Sequence, residues 1–241
     1  DVGITGKDWV GETNSDVEPI LDLEYGKIRL VIAFPDNYSY KNLDAMIADY
    51  GKKKKILRLS SEYLTTASKF IKSLKSYQKY YGKKDPLIVT PWMRLGNNKN
   101  VQIHLSFGAT EAKPPEDVDA IMDVTETGTT LKQNKLKIVD EVLTSTAHLI
   151  VNKKSLKDPK KREKIFDIIT LMRGAVNGRK YLHIYLNVEE KNLKKLLAQM
   201  PSLKRPTISP LSEDGWFGVN TVIKKEEFHK LIPKLRKIAQ G

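Results

Sequence analysis

Apolar positions along this chain follow two rhythms. From Ile28 to Phe34 they form a nearly continuous run stopped by Pro35, the pattern of a strand buried on both faces. Leu43 to Tyr50 repeats at helical spacing, Lys54 to Leu59 reads as a strand, and Val101 to Phe107 alternates with period two. Ser60 and Ser61 stand where a helix cap belongs, so the pattern predicts one helix opening near Tyr63 and running towards Tyr77. Ile138 to Leu143 and Ala147 to Val151 are further strands, and Glu163 to Val176 carries Ile165, Ile168, Ile169, Met172 and Ala175 on one helical stripe. Strands interleaved with helices predict two α/β lobes, with ligands in the cleft they enclose.

From about Arg179 the rhythm changes. Tyr181 to Val188 alternates, Glu189 to Met200 places Leu193, Leu196 and Leu197 on one helical face, Pro206 to Leu211 and Trp216 to Lys224 read as strands, and Glu226 to Ala239 as a helix. The order β-α-β-β-α is that of a ferredoxin-like unit without its last strand. Read without further information, its alternative is a small structural or dimerising domain.

The densest chemistry lies between Asp119 and Leu131. Ile121, Met122 and Val124 suit a buried strand, and the residues that follow carry hydroxyls around one glycine. Gly128 permits a positive φ and close backbone approach to a ligand. Successive N–H groups in such a turn attract an anion, and a helix starting near Leu131 adds its positive end. Thr127, Thr129 and Thr130 offer hydroxyls to phosphate oxygens, while Asp123 and Glu126 suit ribose hydroxyls or a magnesium ion. No lysine follows the glycine, so the loop is not the nucleotide-binding G-x-x-x-x-G-K-S/T element and reads as a sugar-phosphate site. The same composition also describes a plain Thr-Gly turn between a strand and a helix.

These residues have company. Gly108-Ala109-Thr110-Glu111-Ala112-Lys113, then Asp119-Ala120-Ile121, then Thr125-Glu126-Thr127-Gly128-Thr129-Thr130-Leu131 resemble the phosphoribosyl-pyrophosphate segment of the long-form ATP phosphoribosyltransferases, which open histidine biosynthesis. Asp1-Val2-Gly3-Ile4-Thr5-Gly6-Lys7-Asp8, Ser61-Glu62-Tyr63, Leu149-Ile150-Val151-Asn152 and Pro206-Thr207-Ile208-Ser209-Pro210-Leu211, with Trp216 behind, resemble that family's other elements in the family's order.

The resemblance implies an α/β fold with a two-lobed, periplasmic-binding-protein-like catalytic region, followed by a ferredoxin-like (ACT-like) α+β regulatory domain. Residues 1–27 and 146–178 would form lobe I, 28–145 lobe II with the phosphoribosyl pyrophosphate loop, and 179–241 the histidine-binding domain. It implies condensation of ATP with phosphoribosyl pyrophosphate, releasing pyrophosphate, with Mg as cofactor and no protein metal ligands assigned. Asp123 and Glu126 take the catalytic roles. Asp8, Glu111, Thr125, Thr127, Gly128, Thr129, Thr130 and Leu131 bind substrate; Asp8 reads equally as a helix cap. Asn187, Leu203 and Thr207 match the pocket for histidine as inhibitor. The partners implied are a second copy or more, from dimer to hexamer. Relative to the family pattern the chain reads as truncated at both ends, and Tyr80 to Asn100 as an extension.

Composition narrows the alternatives. The chain has 241 residues, enough for two or three cores, and no cysteine, which excludes disulfides and thiolate metal sites and suits a reducing cytoplasmic compartment. No apolar run approaches membrane-spanning length. Net charge is +13, but the lysines lie in scattered groups among acids without aromatic interleaving, so nucleic acid is not an expected partner and solvated helix faces account for the surplus. His104, His148, His183 and His229 form no ligand spacing, and no G-x-S-x-G element supplies a nucleophilic serine. The remaining alternative is a non-catalytic protein that binds nucleotide or histidine and regulates.

Overall fold

The structure, a computed structural model, describes residues 1–200 and 205–238. The chain divides into two compact units, Asp1–Arg162 and Glu163–Gly241. The first opens with β1 (Val2–Gly6), α1 (Lys7–Thr13) and β2 (Val17–Asp22). It continues through β3 (Ile28–Pro35), α2 (Leu43–Lys53), β4 (Leu57–Ser61), α3 (Leu64–Ser73), α4 (Lys75–Tyr81), β5 (Pro86–Val89), β6 (Arg94–Leu95) and β7 (Asn98–Leu105). It closes with β8 (Ala120–Thr125), α5 (Thr129–Gln133), β9 (Leu136–Ser145) and β10 (Ala147–Asn152).

Two sheets result. The small one has the order β1-β10-β2 and is antiparallel; the large one has the order β6-β5-β7-β4-β8-β3-β9, with β5, β7, β4 and β8 parallel. The apolar run of β3 explains its place inside the large sheet: residues 30 to 34 are wholly buried because both faces are covered. On one face Leu30, Ile32 and Phe34 pack with Leu57, Leu59, Val101, Ile103 and the inner sides of α2, α3 and α4. On the other, Val31 and Ala33 meet Ile121, Leu131 and Leu136, so α5 is pinned there by Leu131. Each large side chain buried in this way stabilises by about 1.5–3 kcal/mol.

The expected helix from the Ser60 region to Tyr77 is two helices. Leu74 is extended (φ −72°, ψ 136°) and is at once the end of α3 and the start of α4. Nor do the serines cap it. Ser61 Oγ accepts the Tyr63 N–H at 2.9 Å, within the turn. The free amides of α3 go to Glu12 of α1: Thr65 N–H donates to Oε1 at 2.7 Å and Thr66 N–H to Oε2 at 2.8 Å. A partner 53 residues away in sequence cannot be read from local spacing. The Tyr80 to Asn100 stretch forms β5 and β6 at the sheet's edge and the start of β7.

The second unit contains most of α6 (Pro159–Gly178), then β11 (Tyr181–Glu189), α7 (Glu190–Gln199), β12 (Thr207–Pro210), β13 (Trp216–Lys224) and α8 (Lys225–Leu235). Its strands are antiparallel in the order β11-β13-β12, the ferredoxin-like arrangement expected from the alternation. Val188, Leu196, Val219, Ile223, Leu231 and Leu235 form the core on the helix-covered face. Among the described residues no helix is long and apolar enough to cross a membrane.

Candidate functional site

In the large sheet, Ser61 of β4 stands level with Leu105 of β7 and Met122 of β8. All three strands run the same way, so the segments beginning at residues 62, 106 and 123 emerge side by side. The chain leaves β4 to build β5 and β7 on one side of it, then returns to build β8 on the other. Such a reversal of strand order opens a crevice at the carboxyl ends of parallel strands, where open α/β sheets bind ligands. Topology thus points to the same place as the threonine-rich loop.

The loop after β8 begins with Thr125, which is buried and whose Oγ1 accepts the Gly128 N–H at 2.8 Å. Gly128 sits at φ 83° and ψ 4°, a left-handed conformation that any side chain would strain; an added Cβ would also stand 3.3 Å from Ile138 Cδ1. Thr127 and Thr129 share a hydroxyl hydrogen bond of 2.8 Å. α5 starts at Thr129 and is only five residues long, so its dipole is slight and the leading N–H groups are the stronger attraction for an anion. Thr125, Thr127, Thr129, Thr130 and Leu131 line a cavity of about 350 Å³ together with Asp123, Val124, Glu126 and Glu111. Gly128 lies in the same loop and shapes its bend.

The acidic wall is electrostatically strained. Burial holds the Asp123 carboxyl above the usual carboxylate range, and the charges of Glu111 and Glu62 push it the same way; the Val124 N–H, donating to Oδ1 at 2.7 Å, opposes them. Such a group is stabilised by a cation, or by positive charge developing on a ligand. Glu62, exposed in the turn after β4, follows Ser61, which stands level with Met122, so strand pairing brings it beside Asp123, a neighbourhood no local pattern indicates. Opposite it, Ala109 (φ 49°) follows Gly108 (φ 72°), and this paired left-handed bend swings the chain into the turn carrying Glu111. Lys113 Nζ donates to Ser106 Oγ at 2.6 Å, and Ser106 shares a 2.9 Å hydroxyl bond with Thr110, fixing that turn from behind.

Asp8 lies elsewhere. It is buried in the first turn of α1 with Gly6 at the cap position, and it is not among the residues lining the cavity. Its Oδ1 accepts the Ser145 hydroxyl at 2.6 Å and its Oδ2 the Tyr63 hydroxyl at 2.6 Å. In the second unit, Asn187 stands opposite Gly218 and Thr207 opposite Asn220, which puts both on the sheet face away from the core. The Tyr185 hydroxyl lies over Gly218 on that face, where an added Cβ would come within 2.3 Å of it. Leu203 lies outside the described residues.

A larger cavity, about 550 Å³, is lined by Tyr38, Tyr40, Asp49, Tyr50, Lys53 and Lys55 among others. It opens at the other end of the large sheet, and its polar groups pair internally: the Tyr40 hydroxyl, pushed up to about 12 by burial and then by Asp49, donates to Asp49 at 2.7 Å, and Lys53 pairs with the same carboxylate. Among the described residues no group of three or more His, Cys, Asp or Glu could hold a metal ion.

A parallel-stranded crevice, a glycine-bent threonine loop and a carboxylate wall together define a two-domain α/β protein with a periplasmic-binding-protein-like catalytic lobe and a smaller β-sheet domain. Comparison with known proteins makes this particular. A family model described as ATP phosphoribosyltransferase matches residues 1–174, and one described as HisG, C-terminal domain, matches 178–241. An ATP phosphoribosyltransferase of Solibacter usitatus is 38% identical across 98% of this chain and 73% of its own length. That of Chlorobium phaeovibrioides is 34% identical, across 98% and 72%. The solved ATP phosphoribosyl transferase (HisG:HisZ) complex from Thermotoga maritima shares the fold at a TM-score of 0.55 and 21% identity, over 74% of this chain and 71% of that one. The chain belongs to the ATP phosphoribosyltransferase family, whose reaction is the first step of histidine biosynthesis.

Proposed function

We propose that this protein condenses ATP with 5-phosphoribosyl 1-pyrophosphate and that the crevice at the ends of β4, β7 and β8 is where the ribose is held. The observation that carries the reading is the single cavity wall shared by a phosphate-type loop and Asp123, Glu126 and Glu111. The Thr125 to Thr130 segment takes the 5-phosphate through hydroxyls and backbone N–H groups. Asp123 and Glu126 face the ribose hydroxyls and favour positive charge on the anomeric carbon as pyrophosphate departs. Positioning supplies much of the rate, since both partners must be held in line.

Magnesium would sit at this wall only with phosphate oxygens completing its shell, since among the described residues no group of three ligands could hold a metal ion. It takes hard oxygens, commonly one or two carboxylates plus phosphate oxygens, and the Asp123 cluster offers carboxylates without closing a cage. Bound there with the pyrophosphate, it would supply positive charge to the leaving group. Glu111 also borders the ribose, and we assign lobe I to residues 1–27 and 146–178, lobe II to 28–145 and the regulatory domain to 179–241. Histidine is the proposed inhibitor, recognised on the outward face carrying Asn187 and Thr207. A homo-oligomer in the cytoplasm completes the proposal.

The test is pyrophosphate release from ATP plus phosphoribosyl pyrophosphate. Magnesium-dependent release, slowed by histidine, is expected. Binding of nucleotide or histidine without turnover would instead make the protein a regulatory binder.

A further inference from the structure

Asp8 and Glu12 are four residues apart in α1 and therefore share one face of the helix. Neither lines the cavity of the threonine loop, and both reach the turn between β4 and α3, part of the proposed lobe II. Glu12 accepts the Thr65 N–H at 2.7 Å, the Thr66 N–H at 2.8 Å and the Thr66 hydroxyl at 2.7 Å, so both carboxylate oxygens cap α3 from outside it. Asp8 accepts the Tyr63 hydroxyl at 2.6 Å and the Ser145 hydroxyl at 2.6 Å, and its own N–H donates to Ser145 Oγ at 3.0 Å. Trp9, between them, packs its ring 4.8 Å from that of Tyr63. Ser145 ends β9, where the chain passes from the large sheet to the small one. Gly6 makes room for this, since a Cβ there would stand 2.1 Å from Asp8 Oδ1.

The bonds to Tyr63, Thr65 and Thr66 all fall within four residues of Glu62, which follows Ser61 beside the Met122–Asp123 end of β8; those to Ser145 tie α1 to the end of β9. We infer that Asp8 and Glu12 form a clasp by which α1 holds the β4–α3 turn, so that Glu62 is presented to the Asp123 and Glu111 wall. Both are positioning residues. Asp8 has each oxygen committed to a hydroxyl, and Glu12 has each oxygen committed to a backbone amide, which leaves little of either for a ligand. Capping by a charged side chain from another element ties the start of α3 to α1 more tightly than a serine of its own turn would, because α3 cannot shift without breaking both amide bonds. The inference rests on the ribose reading of the crevice and adds a device that sets its geometry.

The variants are Glu12→Ala, Glu12→Gln and Tyr63→Phe, the last of which deletes one hydroxyl and leaves the ring on Trp9. Two readouts are needed. Hydrogen exchange at Thr65 and Thr66 reports the clasp without reference to catalysis, and Glu12→Ala is expected to speed it by about tenfold, with Glu12→Gln in between. Steady-state kinetics report the consequence: KM for phosphoribosyl pyrophosphate rises about fivefold or more in Glu12→Ala and Tyr63→Phe, and Glu12→Gln, which keeps an acceptor oxygen, recovers part of it. Faster exchange with KM unchanged, or a rate that falls only with the folded fraction, would overturn the positioning role. Unchanged exchange would overturn the clasp. A parent protein without turnover would count against the ribose reading alone, since the exchange result stands independently.

Discussion

Asp123 is the residue on which structure and chemistry pull hardest against each other. Burial first, then Glu111 and Glu62, raise its carboxyl, so the folded protein binds a proton there more readily than the unfolded chain. The sign follows. A carboxyl with a raised folded pKa lowers stability once ionised, so this group's contribution is most favourable below its unfolded value and is lost as pH climbs through its raised one. Asp123→Asn removes that penalty. Its melting temperature at neutral pH is expected to equal or exceed the parent's, with the difference closing in acid, while turnover falls about a hundredfold or more. Thermal melts across pH and pyrophosphate release measure the two effects. The loop's residues were legible because a strand, a glycine and clustered hydroxyls are adjacent in sequence. Glu62 and the partners of Asp8 were not, since Tyr63 and Ser145 lie 55 and 137 residues from it.

At the scale of elements, the pattern of apolar positions located β3, α2, β7, β8 and β13 because each has a periodic or continuous apolar face. It missed β2, where Pro19 and acidic positions blur the alternation and pairing with β10 decides the matter. It also joined α3 to α4, since the break at Leu74 leaves the helical rhythm intact. The threonine loop itself is an element with an internal brace, the bond from Gly128 N–H to the buried Thr125 hydroxyl. Thr125→Val keeps the shape and deletes the acceptor, which leaves that amide without its partner at a cost of about 1–3 kcal/mol. A melting temperature lower by several degrees and a raised KM for phosphoribosyl pyrophosphate are expected, measured by calorimetric scan and steady-state rates; an unchanged pair of values would mean that the brace is idle.

For the molecule as a whole, the net charge of +13 contrasts with a crevice that carries Asp123, Glu126 and Glu111 in its lining, and under the proposed function the basic surplus favours the approach of anionic substrates. The central claim is that the glycine-bent loop binds the sugar phosphate, and calorimetric titration of phosphoribosyl pyrophosphate with magnesium tests it most directly. Gly128 at φ 83° tolerates no branched side chain, so in Gly128→Val the bend is distorted at its tightest point. The account predicts binding by the parent protein and a loss of at least about tenfold in the folded variant. Equal affinity in the two, with circular dichroism unchanged, would contradict it.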